Sequence, residues 1–429
     1  MKVYILLLLA AIVVTGLLTP VVRWATLRFG IVPEVRDRDV QKKPMPRLGG
    51  IAMTAAFIVV MLIAWRIPFM AGLFQNSSLW AVLIAAAAMC VLGVVDDILE
   101  LDWMTKLAGQ FLISGFMAYM GVQLVSFPIF GLTIGSSRLS LIVTVLVVTG
   151  IVNAVNFIDG LDGLAAGMVA IGAITFFGYS YMLTRLMDAS SYATGAALIV
   201  IILAGVCMGF LWFNWHPASI IMGGGAETIG LILAAAGIIV TGQIDPMVLP
   251  QKSVFAGLLP ILLPLAVVAI PLINIVITPM RRILNHTSPF AADRTHLHDR
   301  LLSRGHSHMG TVFILYVWTA IICVAAVSLL FFPVHRVLLV LVPIAVFQLL
   351  VTANVYPLTP SSRRARRVER NGTPEQDSAP VALVNQQKTQ PAAIPPRASK
   401  SRIPKLPAQR PSGKPTWDEI VGNGNEEER

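Results

Sequence analysis

Asp96 and Asp97 close an otherwise apolar run, Leu92-Gly93-Val94-Val95-Asp96-Asp97, and two adjacent carboxylates at such a boundary repel each other. The pair persists cheaply only with solvent, a cation or a shared proton, because each charge would cost about 2.5–3.5 kcal/mol at the centre of a membrane helix. A metal or phosphate-chemistry site is one reading; a helix end closed by solvated acids is the other. A second stretch, Asn153-Ala154-Val155-Asn156-Phe157-Ile158-Asp159-Gly160-Leu161-Asp162-Gly163, places a polar residue at every third position: Asn153, Asn156, Asp159 and Asp162. On a helix such residues are neighbours along one stripe. Their amide and carboxylate oxygens are hard donors suited to Mg²⁺, and packing in a bilayer asks for no such row.

A third stretch is Asp293-Arg294-Thr295-His296-Leu297-His298-Asp299-Arg300, followed by His306 and His308; five of the seven histidines lie between positions 286 and 308. Zinc is one ligand for His-x-His beside acids, but a helical His pair four residues apart with a Glu base is missing. Interleaved Arg and His better suit a multiply charged phosphate. A fourth, Lys42-Lys43-Pro44-Met45-Pro46-Arg47-Leu48-Gly49-Gly50, is a basic loop that either attracts a lipid phosphate or marks membrane orientation. Lys106, the lone cation near the aspartate pair, can neutralise it or reach a phosphate; His216, before a proline in an aromatic segment, is expected to pack.

These residues must be positioned by membrane helices. Of 429 residues, 56% are hydrophobic and only 13% charged, and mean hydropathy is +0.76; ordinary soluble domains carry about 25% charge. A spanning helix needs about 20 apolar residues. Candidate spans are 2–22, 49–67, 79–95, 106–122, 139–156, 163–183, 192–213, 228–242, 253–279, 310–332 and 335–353. The expected fold is therefore an all-α polytopic membrane protein of about 10–11 transmembrane helices. Cys90, Cys207 and Cys323 sit singly in apolar runs, so neither disulfide nor zinc spacing is present.

Loops after odd-numbered spans lie on one side and hold the basic residues, among them Arg36, Arg38, Lys42, Lys43 and Arg47, and later Arg281, Arg282, Arg294, Arg300 and Arg304. The positive-inside rule makes that side cytoplasmic, with the N-terminus outside and the C-terminus inside. The acids follow: before the tail only Asp188 and Asp245 face the other way. Carboxylates and bases gathered on one face imply a site for a charged cytoplasmic substrate. Residues 1–353 form the membrane domain. Residues 354–429, rich in Pro, Ser and Gln, read as a disordered cytoplasmic tail, whose Arg363, Arg364, Arg366 and Arg367 either rest on anionic lipid headgroups or flank the last span.

Val94-Val95-Asp96-Asp97, Lys106-Leu107-Ala108-Gly109-Gln110, Asn153–Leu164, Pro46–Gly50 and His296-Leu297-His298 together resemble the polyprenyl-phosphate N-acetylhexosamine-1-phosphate transferases. Within them the undecaprenyl-phosphate GlcNAc-1-phosphate transferases look most similar. The resemblance covers nearly all of residues 1–353. It implies an inner-membrane enzyme with a cytoplasmic active site, acting on a UDP-sugar and undecaprenyl phosphate with Mg²⁺ (Mn²⁺ as an alternative), releasing UMP and starting lipid-linked envelope polysaccharide synthesis. It implies Asp96 and Asp97 near the metal and lipid phosphate, and Asp97 and Asn156 as metal ligands. Asp159 and Asp162 would hold the nucleotide-sugar or activate the acceptor. Lys106, Asn153, Arg47, His296, His298 and Arg300 would bind substrate.

One departure stands out. The family pattern Met-Gly-Asp-x-Gly-Ser, whose Asp is a metal ligand, here reads Met222-Gly223-Gly224-Gly225-Ala226-Glu227. Glu227 is the expected substitute ligand; weaker metal binding or lost activity are the alternatives, and an Asp restored at Gly224 is the expected test. Gln41 and Asp299 also stand where many relatives carry His. Two rival readings follow, a secondary transporter and a catalytically impaired membrane scaffold. A homodimer is left open, and no nucleic-acid partner is expected.

Overall fold

The computed structural model describes residues 1–31, 45–124, 136–186, 193–241, 269, 297–329 and 332–353. All regular structure among them is helical: α1 (Lys2–Arg28), α2 (Gly49–Arg66), the short α3 (Pro68–Ala71), α4 (Ser77–Leu99), α5 (Trp103–Tyr119), α6 (Ser137–Ile158), α7 (Leu164–Leu186), α8 (Ala193–Asn214), α9 (Gly225–Thr241), α10 (Leu297–Ser303), α11 (His308–Ser328) and α12 (Val334–Thr352). Backbone polar groups in hydrocarbon must be satisfied within the segment, which is why such apolar runs take this form.

Eight of these helices are long and apolar enough to cross a membrane, and α9 is a shorter apolar helix. With α5, they account for ten of the eleven expected spans. The span expected at 253–279, apart from residue 269, and His296, Gln41 and the tail with its arginine cluster lie outside the described residues.

The outward faces of the peripheral helices are apolar: Leu6, Leu9, Val13 and Leu17 of α1 and Leu338, Leu339 and Val346 of α12 are exposed, as lipid contact requires. Inside, small residues let backbones approach. Gly205 and Gly209 of α8 press on α1, where added Cβ atoms would meet the carbonyl oxygens of Leu8 and Ile12 at 2.6 Å. Deeper in the bundle Phe57, Met61, Met89, Phe176 and Phe210 are fully buried.

Local sequence sets the helix ends. Asp102 caps α5, accepting the Met104 and Thr105 N–H groups at 3.0 Å each and the Thr105 hydroxyl at 2.6 Å. Those hydrogen bonds to the charged form hold the exposed Asp102 carboxyl below its usual range. Ser307 caps α11 through the Gly310 N–H at 3.1 Å. At one end of the bundle the beginnings of α2, α5, α7, α9 and α11 meet the ends of α4, α6 and α8, and that end holds the polar residues.

Candidate active site at one end of the bundle

The frame of the site is a backbone seam. The strand-like segment before α2 runs along the loop between α8 and α9, with Ile221 N–H on the Pro46 carbonyl (2.8 Å), Gly49 N–H on Ile221 (3.0 Å) and Gly50 N–H on Met222 (2.8 Å). Gly223 has φ +59°, a conformation that favours glycine, and any Cβ there would run into the Arg47 carbonyl and the Asp97 carboxylate. Gly224 lies against Gly93 of α4 so closely that a Cβ on either would overlap the other's backbone. The glycine run is therefore a close-packing device joining α2, α4 and α9. An Asp at Gly224 does not fit this packing, which overturns the expectation that one could simply be restored.

The seam carries the aspartate pair. Asp97 Oδ2 accepts the Gly224 N–H at 2.8 Å. Asp96 Oδ2 lies 2.7 Å from Lys106 Nζ, on the first turn of α5. Lys106 also pairs with Glu227, which is fully buried on the first turn of α9. The other oxygen of Glu227 accepts from Gln110 Nε2 at 3.0 Å. Gln110 Oε1 in turn accepts from Asn153 Nδ2 at 2.6 Å, and the same amide donates to the Thr149 carbonyl at 2.9 Å.

Two expectations change here. Glu227 does not stand open as a substitute metal ligand: it is enclosed by protein and engaged by Lys106 and Gln110. Both N–H groups of the Asn153 amide are engaged, by Gln110 and by its own helix, which leaves only its oxygen for a substrate. The stripe predicted from three-residue spacing is real only in part. Asn153 and Asn156 lie on α6, Asp159 follows its last residue, and Asp162 sits in the turn before α7.

Asp159 is part-buried. Loss of hydration, then the like charges of Asp97 and Asp162, push it up to about 7, against the pull of Arg47. Groups from the segment before α2, from α4 and from the α6–α7 turn therefore feel one another's charge. Asp162 is turned into the protein, with Oδ2 2.7 Å from His216 Nδ1 and 3.2 Å from the Ala218 N–H. Its carboxylate holds the α8–α9 loop against the turn, so the expected contact with substrate is not what this oxygen makes. The His216 ring stacks on His308 with centroids 4.0 Å apart. Asp162, His216 and His308 form a cluster with metal-ligating atom types. The rings are nearly parallel, however, at 18°, so their in-plane lone pairs do not converge on one ion.

α10 closes the site from the far side of the sequence. The His298 ring fills the space beside Gly160 that a side chain there would need, one residue along the chain from Asp159. The buried Nη2 of Arg300 has no hydrogen-bond partner among the described residues. His306, by contrast, lies 3.3 Å from the Thr352 carbonyl at the end of α12, with burial as the main cause lowering its pKa; it belongs to packing. Of the residues expected at the site, the structure brings Asp97, Lys106, Asp159 and His298 to one end of the bundle; Gln110, quoted only within a motif, and the His216–His308 stack were given no role from the sequence. Gln110 had a visible signal, an amide buried in an apolar helix four residues after Lys106.

An apolar-faced helical bundle that gathers carboxylates, a lysine, arginines and histidines at one end defines a polytopic membrane protein built to handle charged ligands at a bilayer face. Comparison with known proteins gives the particular kind. The signature of glycosyl transferase family 4 matches residues 79–241. The decaprenyl-phosphate N-acetylglucosaminephosphotransferase of Mycobacterium tuberculosis is 36% identical over 330 residues, 76% of this chain and 82% of the relative. The protein of the same name from Mycolicibacterium smegmatis is 37% identical over 350 residues, 80% and 86% of the two chains. The "probable undecaprenyl-phosphate N-acetylglucosaminyl 1-phosphate transferase" of Bacillus subtilis is 28% identical over 319 residues, 73% and 81%. The chain belongs to glycosyl transferase family 4, among its polyprenyl-phosphate N-acetylhexosamine-1-phosphate transferases.

Proposed function

We propose that this protein transfers N-acetylglucosamine 1-phosphate from its UDP-sugar to a polyprenyl phosphate at the cytoplasmic face, releasing UMP. The relatives named above are phosphotransferases of that kind, which leaves the secondary-transporter and scaffold alternatives without support. The observation that carries the site assignment is the meeting of Arg47, Asp97 and the Gly223–Gly224 turn, residues from three distant stretches.

The reaction brings two anions together. An oxygen of the lipid phosphate attacks the β-phosphorus of the UDP-sugar; the bond from that phosphorus to the bridging oxygen breaks, and UMP leaves with the electron pair. The acceptor is already ionised near neutral pH, so positioning and charge neutralisation matter more than a general base. Arg47 supplies fixed positive potential beside Asp97 and Asp159. Arg300, whose Nη2 has no hydrogen-bond partner among the described residues, and His298, against Gly160, would hold the diphosphate.

The donor set fits a divalent ion. Asp97, Asn156 and Asp159 offer hard oxygens, and a cation would offset both the lost hydration that chiefly raises Asp159 and the like charges of Asp97 and Asp162 that add to it. Those three residues would hold Mg²⁺, or Mn²⁺ in its place. Bound there, the ion would neutralise diphosphate charge.

The test uses the full chain purified in detergent with UDP-GlcNAc, Mg²⁺ and either decaprenyl or undecaprenyl phosphate. UMP release with formation of a lipid diphosphate sugar is expected, and Asp97→Asn should lower the rate on the order of a hundredfold. No lipid product from any of several UDP-sugars, or solute flux without UMP release, would overturn the reading.

A further inference from the structure

Both aspartates at the end of α4 are tied to the beginning of α9, by different means. Asp97 takes the backbone N–H of Gly224. Asp96 is reached through Lys106, whose ammonium lies between it and Glu227. The segment that lacks the family's aspartate thus contributes a peptide N–H to one acid and a buried carboxylate to the cation of the other.

We infer that Glu227 is the positioning residue of the transfer reaction, fixing the Lys106 ammonium against Asp96 at the phosphate-handling end of α4. The inference rests on the function proposed above. A carboxylate with no exposure is costly to bury unless it is paired and hydrogen-bonded, and Glu227 has both kinds of partner in Lys106 and Gln110. Lysine carries its charge on a flexible four-carbon stem. Without Glu227, Asp96 alone would hold it, and Asp96 is itself only part-buried. Gln110 extends the same anchor to Asn153, so one acid on α9 sets polar groups on both α5 and α6. Fully enclosed by protein, with Lys106 and Gln110 as its partners, Glu227 acts through Lys106.

The experiment is a double-mutant cycle on the full chain in detergent: wild type, Glu227→Gln, Lys106→Met, and the two combined. UMP release is followed across UDP-GlcNAc and Mg²⁺ concentrations. Glu227→Gln is expected to lower kcat about 10- to 100-fold with KM for UDP-GlcNAc changed less than about twofold. The combined variant should match Lys106→Met within about twofold, because Glu227 has nothing left to position. Should Glu227→Gln fail to fold, Glu227→Asp carries the same cycle, with a loss of roughly 3- to 10-fold.

Multiplying losses in the combined variant would overturn the inference. So would a Glu227→Gln enzyme restored to wild-type kcat by excess Mg²⁺, the behaviour of a metal ligand. A wild-type chain that makes no lipid product overturns the functional reading and this inference with it. An active wild type with independent losses overturns the inference alone.

Discussion

At Asp159, placement and charge give opposite instructions, and the conflict is measurable. Folding moves its pKa from the ordinary carboxylate value near 4 to about 7. Between those values the native state holds a proton that the unfolded chain has lost. The stability tied to this group is therefore full below about pH 4, falls as pH rises to about 7 and is constant above. With divalent ions removed by EDTA, Asp159→Asn should melt several degrees higher than wild type at pH 8, a difference that shrinks steadily as pH is lowered toward about 4. An equal difference at both pH values would show that Asp159 does not titrate in this window. At this scale the residue types were legible in the sequence, because acids in an apolar run demand a reason. Their partners were not. Nothing in local spacing tells that Asp162 faces His216, or that Glu227 faces Lys106, 121 positions away by the numbering.

Among elements, the start of α9 decides how the site is assembled. Hydropathy fixed α1, α2, α4, α6, α7, α8, α11 and α12 to within a few residues, since lipid exposure and bundle burial both demand apolar runs. It left out which helix touches which, because every face of such a helix is apolar. The run Gly223-Gly224-Gly225 read as a lost ligand. In three dimensions it is where α9 meets α4 at Gly93 and α2 at Gly50, backbone to backbone. Gly224→Asp should accordingly destabilise the protein by about 1–3 kcal/mol, as overpacking does, and should reduce UMP release instead of raising it. The check is thermal unfolding and activity on the same preparation. A variant with unchanged melting temperature and higher turnover would mean that the α4–α9 contact opens without cost.

For the molecule as a whole, the prediction concerns which side of the bilayer the site faces, and the positive-inside rule predicts the cytoplasmic side. The end that gathers Asp97, Lys106, Asp159 and His298 also carries Arg47, Arg300 and Arg304. The stretch from Pro68 to Ser78 joins α2 to α4 at the opposite end and has no charge at all. Lys and Arg are retained on the cytoplasmic side, and a nucleotide-sugar is a charged solute that would not cross the bilayer unaided. Gln75 and Ser303 are both exposed, one at each end, and Cys207 and Cys323 are buried, leaving Cys90 as the native thiol to replace by alanine. In that background, a membrane-impermeant maleimide added to spheroplasts should label Gln75→Cys at once and Ser303→Cys only after permeabilisation. The reverse pattern would put the carboxylates on the outer face, where no cytoplasmic donor could reach them, and the transferase mechanism would have to be abandoned even with every contact in the site intact.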